Sequence, residues 1–288
     1  MPKTKLVTVP PFDGVPLPFV KLCCGWKPSL IGCNLLLAAF HAILGITTLA
    51  VGDLHQTRQL YRVQLQPTPN TTWLTPHTFV TRGSLNLTGI TASFFFLSAF
   101  FHIGNASLWR RHYLRGVRWC FTPSRWIEYT FSAGLMSILI AYPSGVVLVD
   151  VIVCIFALTS VTMFFGYLAE LISRPSSRSV WTRPLHERLQ PHLLGYVPQI
   201  VVWYLILAQF YTAVADADAS DDTRKMPDFV YAIVWGELCL FWSFGFVQLV
   251  VLCMPPEKYP YGELVYQLLS LVSKGLLGIL LLANALRD

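Results

Sequence analysis

The sequence predicts an all-α membrane protein, a seven-transmembrane-helix bundle with a cytoplasmic N-terminus and a β-hairpin in a long first external loop. Three observations carry this. Charge is scarce: 288 residues hold 21 Lys+Arg and 15 Asp+Glu while 54% are hydrophobic, about half the charged share of ordinary soluble domains. Charge is also segregated, because seven apolar runs contain only 5 of those ionised side chains. Finally, Lys and Arg concentrate on alternate connections between the runs, the asymmetry that sets orientation in a bilayer.

In chain order the runs are Leu30 to Val51, Leu87 to Trp109, Trp126 to Tyr142, Val146 to Ile172, Leu193 to Val214, Phe229 to Cys253 and Leu264 to Leu286. Each approaches the ~20 residues a helix needs to cross about 30 Å of hydrocarbon. A helix satisfies its own backbone hydrogen bonds, which crossing requires. Residues 1–29 then form a cytoplasmic tail and 30–288 one seven-helix domain. Lys3 and Lys5 are followed by no apolar core before Pro10 and Pro11, so a cleaved signal peptide is not expected. The first connection, 52–86, alternates Tyr61, Val63 and Leu65 with Arg62, Gln64 and Gln66, the period of a half-buried strand. Pro67-Thr68-Pro69-Asn70 supplies turn chemistry, and Trp73 to Val80 the returning strand. Asn70-Thr71-Thr72 and Asn86-Leu87-Thr88 are N-glycosylation sequons on this side.

The tail and the second, fourth and sixth connections hold 14 Lys+Arg, the remaining segments hold 6, and Lys274 lies inside a run. The N-terminus is therefore assigned to the cytoplasm and the C-terminus outside. Five Asp residues between Ala215 and Asp228 give an acidic external loop. Positive charge thus follows topology, and no nucleic-acid partner is indicated. Seven cysteines form neither a CxxC pair nor a Cys/His cluster, so no disulfide framework and no metal site is expected. Cys23, Cys24 and Cys120 flank the expected membrane face, where acylation can occur.

An ionisable group at mid-membrane costs about 2.5–3.5 kcal/mol on insertion scales, so each intramembrane charge needs a reason. Asp150 and Glu170 lie near span ends, where interfacial solvation suffices. Lys274, Glu128 and Glu237 lie deeper, together with the titratable His41 and His102. Lys274 is near the middle of the last run, and Glu128 a little over one turn from the cytoplasmic end of the third. Because side chains tilt toward a helix N-terminus, Lys274 and Ser270 lean toward Glu128. The residues alone leave two readings open. One is a buried ion pair tying two helices. The other is an amine condensed with an aldehyde ligand, with Glu128 as countercharge. Phe, Tyr and Trp make up 14% of the chain, which favours the second by supplying walls for a long conjugated ligand.

Several segments are similar to the heliorhodopsins, over nearly the whole chain. Phe40-His41 resembles that family's first helix, Leu97-Ser98-Ala99-Phe100-Phe101-His102 its second, and Arg125-Trp126-Ile127-Glu128-Tyr129 with Ser132 and Met136 its third. Phe165-Gly166-Tyr167-Leu168 resembles the fourth, Pro227-Asp228-Phe229-Val230-Tyr231 with Ser243-Phe244 and Val247-Gln248 the sixth, and Leu269-Ser270-Leu271-Val272-Ser273-Lys274 the seventh. The resemblance implies all-trans-retinal covalently bound to Lys274 as a protonated Schiff base, with Glu128 as counterion and Ser270 hydrogen-bonding nearby. Ser132, Met136 and Phe241 would then line the chromophore site. His41 and His102 would hold a polar, watery cavity beside the Schiff base and receive or pass on its proton. The implied protein is a photoreceptor and no enzyme, without catalytic or metal-binding residues. It would form a homodimer through the first external loop and signal to an unidentified cytoplasmic partner, with the Arg174 to Arg188 connection as a partner surface. The implied location is the plasma membrane or an endomembrane. Two positions depart from the family pattern: Gln199 stands where an aromatic residue is expected, and Glu237 where an apolar one is, well outward of Glu128. Glu237 motivates the alternative, light-driven or light-gated proton transport, with Asp150, Glu170 and Glu263 as further stations.

Overall fold

The computed structural model describes residues 28–67, 74–219 and 225–286. Among these are eight α-helices and one hairpin: α1 (Leu30–Val51), β1 (Arg58–Pro67), β2 (Leu74–Leu85), α2 (Leu87–Ala106), α3 (Arg110–Arg118), α4 (Pro123–Ala141), α5 (Val149–Ile172), α6 (Leu185–Ala219), α7 (Asp228–Cys253) and α8 (Tyr259–Asn284). Six of them, α1, α2 and α5 to α8, are long and apolar enough to cross a membrane, which makes this a multi-pass membrane protein. The 19-residue α4 is less apolar because it contains Arg125, Glu128, Thr130, Ser132 and Ser137. It nevertheless packs between α2 and α5. The long helices close into a ring, with α5 against α6, α6 against α7, α7 against α8, and α8 against α1.

Local chemistry sets several helix ends. Ser29 Oγ accepts a hydrogen bond from the Gly32 amide at 3.3 Å and caps α1. Asn86 Oδ1 accepts from the Gly89 amide at 2.6 Å and caps α2, while its amide nitrogen donates to the Leu54 carbonyl. The sequon asparagine at 86 is thus engaged in a helix cap. Pro123 occupies the first turn of α4, where its missing N–H removes no helical bond.

Each apolar run became a helix, yet several extend past the run. α6 starts at Leu185 and continues to Ala219, taking Asp216 and Asp218 of the expected acidic loop into the helix. α8 starts at Tyr259 and includes Glu263. Hydrogen bonding continues where hydrophobicity stops, provided polar side chains find solvent or partners. The second run instead ends at Ala106, and the chain turns into the short amphipathic α3, which buries Tyr113 and Val117. Gly104 permits this turn, since a Cβ there would lie 1.9 Å from the Trp109 ring.

The hairpin is antiparallel, with Val63 opposite Phe79 and Leu65 opposite Pro76. It is not half-buried. Leu60 is its one buried residue, whereas Val63, Leu65, Leu74 and Phe79 are exposed, Phe79 to 65%. Its base touches the bundle: the Tyr61 amide donates to Val147 O at 2.9 Å and Arg62 pairs with Asp150 at 2.8 Å. The expected turn at Pro67-Thr68-Pro69-Asn70, Trp73, the first sequon, Cys23 and Cys24 lie, wholly or from residue 68 onward, outside the described residues. Acylation of Cys120 does not fit, because its side chain is buried and its Sγ faces Pro256 O at 3.5 Å. Burial also pushes that thiol's pKa up, away from the reactive thiolate.

Two apolar clusters flank the middle of the bundle. Toward the hairpin end lie Phe94, Phe95, Leu139, Ile140, Ile155, Ile206 and Leu277. Toward the opposite, Arg-rich end lie Leu30, Ile31, Tyr113, Val117, Val251 and Tyr259. Polar side chains from α1, α2, α4 and α8 meet between them.

Candidate functional site

Lys274 of α8 is the hub of this polar layer. Its Nζ donates to Glu128 Oε1 of α4 at 2.5 Å and to Ser98 Oγ of α2 at 2.6 Å, and lies 5.3 Å from the centre of the Tyr129 ring. Lys274 and Glu128 are 3% and 2% exposed. Water therefore contributes little to solvating either charge, and each is the other's main compensation.

A histidine pair of α1 and α2 shares this layer. The buried His41 and His102 rings stack with centroids 5.6 Å apart. His102 Nδ1 and Asn34 Oδ1 are 2.8 Å apart, so this nitrogen carries the proton while His102 Nε2 has no protein partner. Neither nitrogen of His41 has one. Asn105 Oδ1 then accepts from Ser124 Oγ and Trp109 Nε1, each at 2.8 Å, extending the polar contacts toward the Arg-rich end.

On the other side of Lys274, a pocket of about 850 Å³, counted out to its mouth, runs between α4, α5, α6, α7 and α8. Ser132, Met136, Gln199, Phe241, Ser270 and Lys274 all line it, with Trp126, Tyr129, Tyr196, Trp242 and Phe244 as aromatic walls. Gly166 provides room for one wall, because a Cβ there would lie 2.1 Å from the Trp126 ring. The buried oxygens Ser132 Oγ, Ser270 Oγ and Gln199 Oε1 have no protein partner. An elongated apolar molecule with one reactive end at Lys274 fits these walls, and the unpaired oxygens offer it limited polar contact.

Glu237 of α7 is buried, and its carboxylate accepts from Ser273 Oγ of α8 at 2.7 Å, next to Lys274. Glu237 Oε1 has no protein partner.

Glu170 departs from expectation. It is 1% exposed, so interfacial solvation does not account for it. Arg125, one turn before Glu128, forms buried ion pairs with both Glu170 of α5 and Glu263 of α8. Its guanidinium also lies 4.0 Å from the centre of the Tyr266 ring. Glu170 accepts from the Thr122 amide at 3.1 Å, and Tyr113 OH donates to Glu263 at 3.2 Å. Asp150, by contrast, is exposed beside Arg62. The carboxylates Asp150, Glu170 and Glu263 are thus committed to arginines. Removing the shared guanidinium with Arg125→Met should destabilise the fold by about 3–5 kcal/mol, because two buried carboxylates lose their partner. Thermal unfolding in detergent measures this, and an unchanged midpoint would show that the cluster contributes no stability.

Ser98, Asn34 and the Arg125 cluster were not assigned from sequence. A usable signal existed for α2: Ser98, His102 and Asn105 are spaced i, i+4, i+7 and share one helical face in an otherwise apolar segment.

Fold and buried amine together define a membrane protein with the microbial-rhodopsin architecture. The chain resembles the light-driven proton pump of Leptosphaeria maculans (TM-score 0.58, 11% identity, 88% of this chain and 93% of that one). It is equally similar to xanthorhodopsin, a light-driven ion pump with dual chromophore (TM-score 0.61, 11% identity, 88% and 90%). Thermophilic rhodopsin from Rubrobacter xylanophilus gives TM-score 0.59, 15% identity and coverage of 90% and 96%. The chain belongs to the heliorhodopsin family, whose sequence model matches residues 30–286. No curated protein sequence matches it.

Proposed function

We propose that this heliorhodopsin is a light-sensing receptor in which all-trans-retinal is joined to Lys274 and Glu128 is the counterion. Family membership supports retinal and a light response. The observation that carries the specific assignment is Lys274 Nζ, placed at the end of the aromatic pocket and 2.5 Å from Glu128. Bound retinal supplies visible absorption and a change of shape on illumination. Glu128 and Ser98 hold the positive charge at Nζ in darkness. Ser270, Ser132, Met136, Phe241 and Gln199 shape the pocket. When Nζ and Glu128 are moved apart, their mutual stabilisation falls and the proton at Nζ becomes easier to lose. His102 Nε2 and His41 have the free acceptor capacity to take it.

All seven long helices, α4 included, span the bilayer in this reading, with the Arg-rich end cytoplasmic and the hairpin outside. Movement of α8 against α4 is then the signal delivered to a cytoplasmic partner. The protein is a homodimer in the same reading, because Val63 and Phe79 form an exposed apolar cross-strand pair on the hairpin. A Val63→Asp/Phe79→Asp variant should elute and weigh as a monomer by light scattering. A dimer that persists would place the interface elsewhere.

A second reading, light-driven or light-gated proton transport, is favoured by Glu237, whose carboxylate reaches Ser273 next to Lys274 and keeps one oxygen unpaired. Photocurrent under voltage clamp separates the two. A pigmented, well-expressed and electrically silent protein removes transport, whereas a current abolished by Glu237→Gln establishes it. A current that survives Glu237→Gln leaves transport standing but removes this residue from the path.

A further inference from the structure

We infer that α3 is a binding surface for anionic lipid headgroups. The inference rests on the spanning arrangement proposed above, which puts α3 at the cytoplasmic membrane face between the ends of α2 and α4. The helix reads Arg110-Arg111-His112-Tyr113-Leu114-Arg115-Gly116-Val117-Arg118. At 3.6 residues per turn, its four arginines fall within an arc of roughly 140°. Tyr113 and Val117 lie outside that arc and are buried, 3% and 1% exposed, against the core cluster of the Arg-rich end. One face therefore fixes α3 to the bundle, and all four arginines are turned outward and exposed. Among the described residues none of the four forms an ion pair, and the helix contains no Asp or Glu.

A surface with four uncompensated guanidinium groups, clamped to the bundle beside two spans, has the charge and the height of a phospholipid headgroup layer. Guanidinium is suited to phosphate because its donors form a planar fork. Each Arg near an anionic leaflet strengthens attraction by about fivefold. The clamp also makes the contact consequential. Tyr113 OH donates to Glu263 at 3.2 Å and accepts from Gln267 Nε2 at 3.1 Å, and both residues belong to α8. Lipid held on α3 thus bears on the helix that carries Lys274.

The test uses the full chain, loaded with retinal, in nanodiscs of phosphatidylcholine containing a minor fraction of phosphatidylserine. Lipid retained after mild detergent extraction is quantified by mass spectrometry. Phosphatidylserine should be enriched over the bulk fraction for the native protein. Enrichment should fall severalfold for Arg110→Gln/Arg111→Gln/Arg115→Gln/Arg118→Gln and persist for Arg178→Gln/Arg183→Gln/Lys258→Gln, which removes three exposed positive charges from the same end. Equal loss in both variants, or no enrichment in the native protein, overturns the proposal. Binding of a soluble inositol polyphosphate with no phosphatidylserine enrichment also overturns it, in favour of a soluble polyanion. Elution profile and helical content establish that each variant is folded. The visible band reports separately on the chromophore assignment: its absence with lipid enrichment intact would refute that assignment and spare this one.

Discussion

Lys274→Ala protein purified with all-trans-retinal is expected to show no visible absorption band. Every other residue lining the pocket lacks a primary amine, so no alternative attachment point exists there. Free retinal held by the same walls would absorb only at much shorter wavelength. The substitution has a second effect, because it strands Glu128, 2% exposed, without its cation. Orphaning one partner of a buried pair costs about 3–5 kcal/mol, so loss of colour alone could reflect loss of fold. Lys274→Ala/Glu128→Gln removes the stranded charge together with the amine. That double variant should recover much of the stability while staying colourless. A folded double variant with a visible band would refute attachment at Lys274.

Glu128→Gln is expected to keep the band but move it to longer wavelength. A carboxylate 2.5 Å from Nζ stabilises positive charge localised on that nitrogen. Excitation draws positive charge away from the nitrogen along the conjugated chain, so the carboxylate lowers the dark state more than the excited state. Two unit charges about 4 Å apart interact by about 4 kcal/mol at an effective dielectric of about 20. Losing even part of that from the dark state narrows the gap visibly. A band that stays at its native position in Glu128→Gln would assign the counterion to another group.

The helices were legible because hydrophobicity varies over the same ~20-residue length that a bilayer imposes. Lys274 and Glu128 were legible for the converse reason, as ionised groups deep within apolar runs. Arg125 was not, although it is as buried as either. It sits just before an apolar run and counts naturally as an orientation charge, and its partners are 45 and 138 residues away. Glu170 was misplaced for the same cause: a carboxylate near a helix end reads as solvated until the guanidinium that claims it is seen. The hairpin's alternation gave strands but not burial, since alternation shows that two faces differ and says nothing of what covers them. Ser98 is small and weakly polar, so only its spacing with His102 and Asn105 singled out that face.

The charges of α4 bear on how the protein is made. This helix, the third span in the arrangement proposed above, carries both Arg125 and Glu128 and lacks the apolarity of the six candidate spans. Every partner that neutralises those charges, Glu170 on α5 and Glu263 and Lys274 on α8, is synthesised after it. Leaving the translocon alone would expose two ionised groups to lipid. α4 is therefore expected to wait at the protein-lined exit and partition late, its membrane integration completed by the final helix rather than by its own composition.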